Sequence, residues 1–259
     1  MENYVRTENI DRVLHVVINR PERKNALNQS VVEQLYGVFS DVYGDDETAA
    51  ILLYGQGEEA FSAGADLDEV QSCQGVREKK QFFRGLADLF ALMNSCPKII
   101  IAKVHGFCLA GGCGLAAAAD ITIASDDAQF GLPEINIGLI PMIAMAPISR
   151  SVGRKVLTDL VLTGERIPAA RALEIGLISR LYPKTDLDRA ALELAQKIAK
   201  SSLLALDAGK EALYDIYEAD YLGALRHFSD RISLLSLSND ASEGISAFLA
   251  KRTPEWKGK

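Results

Sequence analysis

Two stretches of this 259-residue chain carry residue types that could do chemistry, IIIAKVHGFCLAGGCGLAAAADITIA at 99–124 and FGLPEINIGLIP at 130–141. The first opens with apolar, β-branched residues that read as a buried strand, breaks at Gly106, and restarts at Gly111 and Gly112 as a small-residue helix ending near Asp120. The first amides of a helix have no partner inside it, and glycine at 111 and 112 keeps side chains out of the way. Backbone donors can therefore meet an oxygen that gains negative charge. Glu134 follows in an otherwise apolar run, where a carboxylate is costly to desolvate unless a use or a partner offsets it. Taken alone, Glu134 beside Pro133 reads more simply as an acidic residue at a helix N-terminus.

A third loop, FSAGADL at 61–67, repeats the theme of small residues with Ala63, Gly64 and Ala65. Cations cluster at Arg20, Arg23 and Lys24, the one obvious local site for an anionic ligand. Elsewhere the balance is acidic, with a formal net charge of -7 and a pI near 5.1, so general affinity for nucleic acid or an anionic membrane is unsupported. The four cysteines, Cys73, Cys96, Cys108 and Cys113, form no C-x-x-C pair, and three histidines are too few to indicate zinc. No signal-peptide pattern opens the chain, and the longest apolar stretch, 106–119, falls short of the ~20 residues that span a bilayer. A soluble, cytoplasmic protein is the expectation.

These loops need elements to position them. Residues 4–8 and 13–19 read as strands joined at Asp11, the second a buried edge. Residues 20–28 form a loop, and Asn28 or Ser30 caps a helix to Tyr43, with Val31, Leu35, Val38, Phe39 and Val42 at helical spacing. A strand at 49–54, a loop at 55–67, a helix from about Asp66 and a longer one at 77–94, stopped by Cys96 and Pro97, lead back to the strand at 99–104. Beyond the central helix, 121–124 and 129–130 read as strands and 143–151 and 154–162 as helices; Pro168 opens a short helix that Gly176 closes, and 178–182 reads as the last strand. From Leu187 onward every segment is helical. The shift divides the chain into an α/β core at 1–195 and a helical region at 196–259 whose apolar faces need a partner.

FSAGADL, LAGGCG at 109–114 and LPEINIGLIP at 132–141 together resemble the crotonase (enoyl-CoA hydratase/isomerase) superfamily, over nearly the whole chain from INRPERKNAL to FLAKRTPEWKGK. The resemblance implies a spiral of ββα units, a C-terminal helical trimerisation region giving a homotrimer or dimer of trimers, and an acyl-CoA ligand with no metal or redox cofactor, coenzyme A being part of the substrate. It places the thioester carbonyl between the amides of Ala65 and Gly111. It puts pantetheine and adenine along Asn25, Ala26 and Leu27 and along Ala63, Gly64, Ala65, Asp66 and Leu67, with Arg23 and Lys24 as phosphate neighbours. Gly112, Gly114 and Met142 complete the expected substrate surface. Many relatives carry lysine where this chain has Asp68.

The acid/base inventory separates the reactions. Hydratases of this family use two glutamates; the second matches Glu134, and the first matches Gly114. Met142, Ile143, Ala144 and Met145 make an apolar wall, and Met142 stands where some relatives carry a working aspartate. A single glutamate resembles the Δ3,Δ2-enoyl-CoA isomerases, in which one carboxylate removes a proton beside the thioester and returns it further along the acyl chain. A hydratase with a different water-holding residue and a non-catalytic acyl-CoA scaffold are the alternatives. The run 112–117 also matches G-x-G-x-x-A, the dinucleotide fingerprint, but the glycines start well after the strand. His105 reads as a packed histidine and Asp120 as a turn anchor.

Overall fold

The structure, a computed structural model, describes residues 2–258. The chain opens with the antiparallel hairpin β1 (Val5–Ile10) and β2 (Val13–Ile18). A short 3-10 turn, Pro21–Arg23, leads to α1 (Gln29–Asp41), capped by Asn28, whose side chain accepts from Val31 N. Two strands follow, β3 (Ala50–Gly55) and β4 (Ala60–Ser62), then α2 (Leu67–Ser72) and α3 (Gly75–Ser95). The same strand, strand, helix order recurs in β5 (Ile99–Val104), β6 (Phe107–Leu109) and α4 (Gly111–Ala117). It begins once more with β7 (Ile121–Ser125) and β8 (Gln129–Gly131), after which a 3-10 turn, Pro133–Ile137, takes the helix's place. The body continues through α5 (Met145–Ile148), α6 (Arg154–Thr163), β9 (Arg166–Pro168), α7 (Ala169–Glu174), β10 (Arg180–Tyr182) and α8 (Leu187–Ala199). Three helices end the chain, α9 (Leu203–Asp215), α10 (Tyr221–Leu235) and α11 (Asn239–Leu249).

From β3 to β8 successive strands alternate between two sheets. β1-β2-β3-β5-β7-β10 form a six-stranded sheet, parallel from β2 onward, and β4-β6-β8-β9 form a four-stranded one. The pairs β3/β4, β5/β6 and β7/β8 each leave one strand in each sheet, which is the spiral of ββα units expected. Both faces of the larger sheet are covered, as its parallel strands require. Ile51, Leu53, Ile100 and Ala102 join the main core beneath α1, α3 and α4. Their strand neighbours Leu52 and Ile101 face the other way, onto Leu187, Ala191, Leu194 and Ala195 of α8. That alternation of two is why these strands are apolar on both faces, with Lys103 near the end of β5 the exception.

Several expected boundaries shift. β2 is not an edge: it lies between β1 and β3, and β1 is the edge. The loop at 55–67 contains β4, the break between Gly106 and Gly111 contains β6, and 166–168 forms β9. The helix expected at 143–151 contracts to Met145–Ile148.

Candidate active site

Glu134 stands in the 3-10 turn that follows β8. Pro133 supplies the first residue of that turn, and Gly138 N and Leu139 N bond back to Ile135 O and Glu134 O at 3.1 and 3.0 Å. From the other side α6 ends at Gly164, φ +65°, and a Cβ there would meet Ile135 Cγ2 at 2.8 Å. Only glycine lets the helix end this close to the turn. The Glu134 side chain is half-buried, and its sheltered Oε2 has no hydrogen-bond partner among the described residues. Burial raises its pKa above the ordinary glutamate value, and no charged neighbour contributes to the shift. A carboxylate left unpaired in this way is free to act as a base.

Across from that turn two backbone segments meet. Leu27 N donates to Gly64 O at 2.7 Å and Asp66 N to Leu27 O at 3.1 Å, so the intervening amide of Ala65 points away from this ladder. Among the described residues the Ala65 and Gly111 amides have no hydrogen-bond acceptor. The two are neighbours: a Cβ built on Gly111 would lie 3.7 Å from Ala65 N. Ala110 N donates to Gly131 O at 2.9 Å, tying the start of α4 to the strand that leads to Glu134.

The glycines of α4 serve packing more than ligand access. A Cβ on Gly112 would stand 2.5 Å from Ser62 O, so the side on which a side chain would project faces β4. A Cβ on Gly114 would lie 2.8 Å from both Cα and Cβ of Ala144 and 3.0 Å from Phe90 Cε2. The space a side chain at 114 would need is filled by protein. Gly112 and Gly114 are thus explained by close packing against Ser62, Ala144 and Phe90.

The basic cluster is also differently employed. Arg20 is buried, its Nη2 3.0 Å from Asp66 Oδ2 and its Nη1 donating to Ala26 O at 2.8 Å. Asp66 also caps α2 through Glu69 N. Asn25 is buried, accepting from Arg20 N and donating to Gln56 O and Ala60 O. The side chains of Asn25, Leu27 and Asp66 therefore hold the loop rather than face a ligand. Arg23 pairs with Asp68 at 3.0 Å and Lys24 with Glu59 at 3.4 Å, all exposed, so both cations are already partly neutralised. Leu67 is exposed and Ala63 and Ala26 are half-buried. Met142 is 73% exposed and does not pack as a wall; Ala144 takes that part.

Leu86 and Phe90 were not singled out from the sequence. They lie four apart on α3, and Leu86 Cδ2 comes within 3.2 Å of a Cβ on Gly111. Their signal was the helical spacing itself, which marks a buried face without saying what lies opposite. The depression between α1 and α3, lined by Val32, Glu33, Phe82 and Gly85 among others, includes none of Glu134, Ala65 or Gly111. His105 is buried with Nε2 unpartnered, and burial lowers its pKa.

Comparison with known proteins places this geometry. The sequence profile described as Enoyl-CoA hydratase/isomerase matches residues 8–259. The 2,3-dehydroadipyl-CoA hydratase of Escherichia coli (strain K12) is 37% identical over 96% of each chain. A probable enoyl-CoA hydratase of Rhizobium meliloti (strain 1021) is 39% identical over 95% of each. The crystal structure of an enoyl-CoA hydratase from Bacillus anthracis superposes with a TM-score of 0.95 at 29% identity, covering 99% of this chain and 100% of that one. With the profile matched over residues 8–259, relatives 37–39% identical over nearly their whole length and the fold superposed end to end, the chain belongs to the enoyl-CoA hydratase/isomerase family.

Proposed function

We propose that this protein is an enoyl-CoA double-bond isomerase that works with one carboxylate. Glu134 takes a proton from C2 of a 3-enoyl-CoA, and the C–H electron pair moves into the thioester, leaving a dienolate whose oxygen the amides of Ala65 and Gly111 receive. The protonated Glu134 then returns the proton to C4, and the double bond ends between C2 and C3. Preorganised amides aimed at a developing oxyanion matter most in this scheme, and losing one such donor typically costs about 3 kcal/mol of transition-state stabilisation.

The observation that supports isomerisation is the packing at Gly114. Ala144 and Phe90 fill the place where a second carboxylate would hold water, and no charged group adds to the titration of Glu134. A proton shuttle needs no water. Hydration is the second reading, favoured by the names of relatives such as the hydratases of E. coli and R. meliloti. Separate incubation with a 3-enoyl-CoA and a 2-enoyl-CoA, followed by mass and by double-bond position, decides between them. Migration without mass gain is expected; rapid water addition without migration would overturn the proposal, and inertness towards both would favour an acyl-CoA scaffold.

The same reading takes coenzyme A along residues 23–27 and 63–67 with no separate cofactor. It assigns residues 196–259 to self-association as a trimer or dimer of trimers, supported by Leu213, Tyr217, Leu222, Leu234 and Phe248, all exposed on α9 to α11 or the segment between α9 and α10. No helix among the described residues is long and apolar enough to cross a membrane. The free cysteines support a reducing, cytoplasmic setting.

A further inference from the structure

Each of the two proposed donors directly follows a residue at positive φ: Gly64 at +95° precedes Ala65, and Ala110 at +53° precedes Gly111. The direction of an amide N–H is set by the ψ of the residue before it, so Ala110 aims the amide of Gly111. Its conformation, φ +53° and ψ -129°, is close to the first central position of a type II′ turn, where glycine is the usual occupant. A residue with a Cβ is strained there, and such strain persists only where the surroundings over-determine it. Asn28, Ser202, Asp220 and Ser238, by contrast, begin their helices at negative φ with extended ψ.

The surroundings that hold Ala110 can be named. Its amide donates to Gly131 O at 2.9 Å. Its methyl lies directly against Gly64: a Cβ built on Gly64 would be 2.5 Å from Ala110 Cβ, 2.9 Å from Leu109 O and 3.0 Å from Gly111 N. The two positive-φ residues thus sit back to back, and each presents the following amide. Glycine at 110 would relieve the strain, yet it would also remove the contact with Gly64 and let the peptide plane rotate.

We propose that Ala110 is a positioning residue, whose methyl, seated on Gly64, fixes the Ala110–Gly111 peptide so that the Gly111 amide stays aimed into the space it shares with Ala65. The inference rests on the reading of those two amides as donors to a thioester oxygen. It treats a strained alanine as a device for orientation and not as a cost of folding.

Ala110→Gly tests it, because glycine adopts this backbone readily and the variant folds. The readout is exchange of the C2 hydrogens of butyryl-CoA for deuterium in D2O, which reports enolate formation whether the natural reaction is isomerisation or hydration. At saturation the exchange rate should fall about 10-fold or more, with the Kd for butyryl-CoA within about 2-fold of wild type and Tm unchanged or raised. A smaller fall in rate, a weakened Kd without a rate change, or a fall accompanied by a lower Tm would each overturn the proposal. Wild type and Glu134→Gln separate the two layers. Exchange lost in Glu134→Gln but kept in Ala110→Gly discards the positioning role alone, whereas wild type that exchanges nothing discards the enolate reading and this inference with it.

Discussion

Lys210 on α9 donates to Asp120, just beyond α4, at 2.8 Å, joining the C-terminal helices to the body through a buried ion pair. The ammonium also donates to Met93 O at 3.0 Å and Lys98 O at 3.1 Å, using all three of its protons. Asp120 accepts from Ile100 N and, at 3.0 Å, from the Tyr214 hydroxyl, whose pKa is pushed up by burial first and by Asp120 second. Asp120 is therefore a link between regions and more than the local turn anchor its position implied.

Removing one member of such a pair leaves the other buried and unpaired. Lys210→Met is expected to lower the free energy of unfolding by about 3–5 kcal/mol, measured by urea denaturation. Hydrogen exchange should show α9 opening first, because Lys210 is its only deeply buried residue. A change within about 0.5 kcal/mol would show that the pair contributes no more than a surface one.

Gly114 offers a test by overpacking. With Ala144 Cα and Cβ both 2.8 Å from the new methyl, Gly114→Ala should destabilise the fold by about 1–3 kcal/mol. Ala144→Gly in the same background relieves only the Cβ contact, since Cα remains at the same distance. The double variant is therefore expected to recover part of the loss, and a double-mutant cycle by thermal unfolding measures the coupling. Strict additivity would mean the two residues do not meet.

How much of this was legible from residues alone differs by element. Strands β3 and β5 are apolar on both faces because both faces are buried, Lys103 near the end of β5 excepted, and Asn28 caps α1 as its position implied. β4, β6 and β9 are three residues each, too short to show alternation, and they exist because partners in the second sheet lie beside them. At the site, Glu134 was conspicuous as a charge among apolar residues. The reasons for Gly112 and Gly114 were not: glycine in a small-residue run reads as ligand access, and only the packed structure shows Ser62 behind one and Ala144 with Phe90 behind the other. Arg20 and Asp66, 46 positions apart, form a pair that no local pattern announces.

With Glu134 as the proposed base, activity and stability are expected to depend on pH in opposite directions. Its folded-state pKa lies above the ordinary glutamate value because burial disfavours the charge. As a base it must be ionised, so kcat/KM should fall as pH drops, with an apparent pKa above 4.5. Glu134→Gln should lower kcat by about 10²–10⁴ and remove that acid limb from what remains.

Stability runs the other way. A carboxyl whose pKa is raised on folding contributes its stability fully below the unfolded-state value and loses it as pH rises through the folded-state value. Wild type and Glu134→Gln should therefore melt at similar temperatures in acid, and the glutamine variant should melt higher near neutrality because it carries no buried charge. Thermal unfolding of both proteins across this range measures the gap. A gap that narrows as pH rises would mean that Glu134 is held by a partner, and with it would go the picture of a lone carboxylate kept free to move a proton.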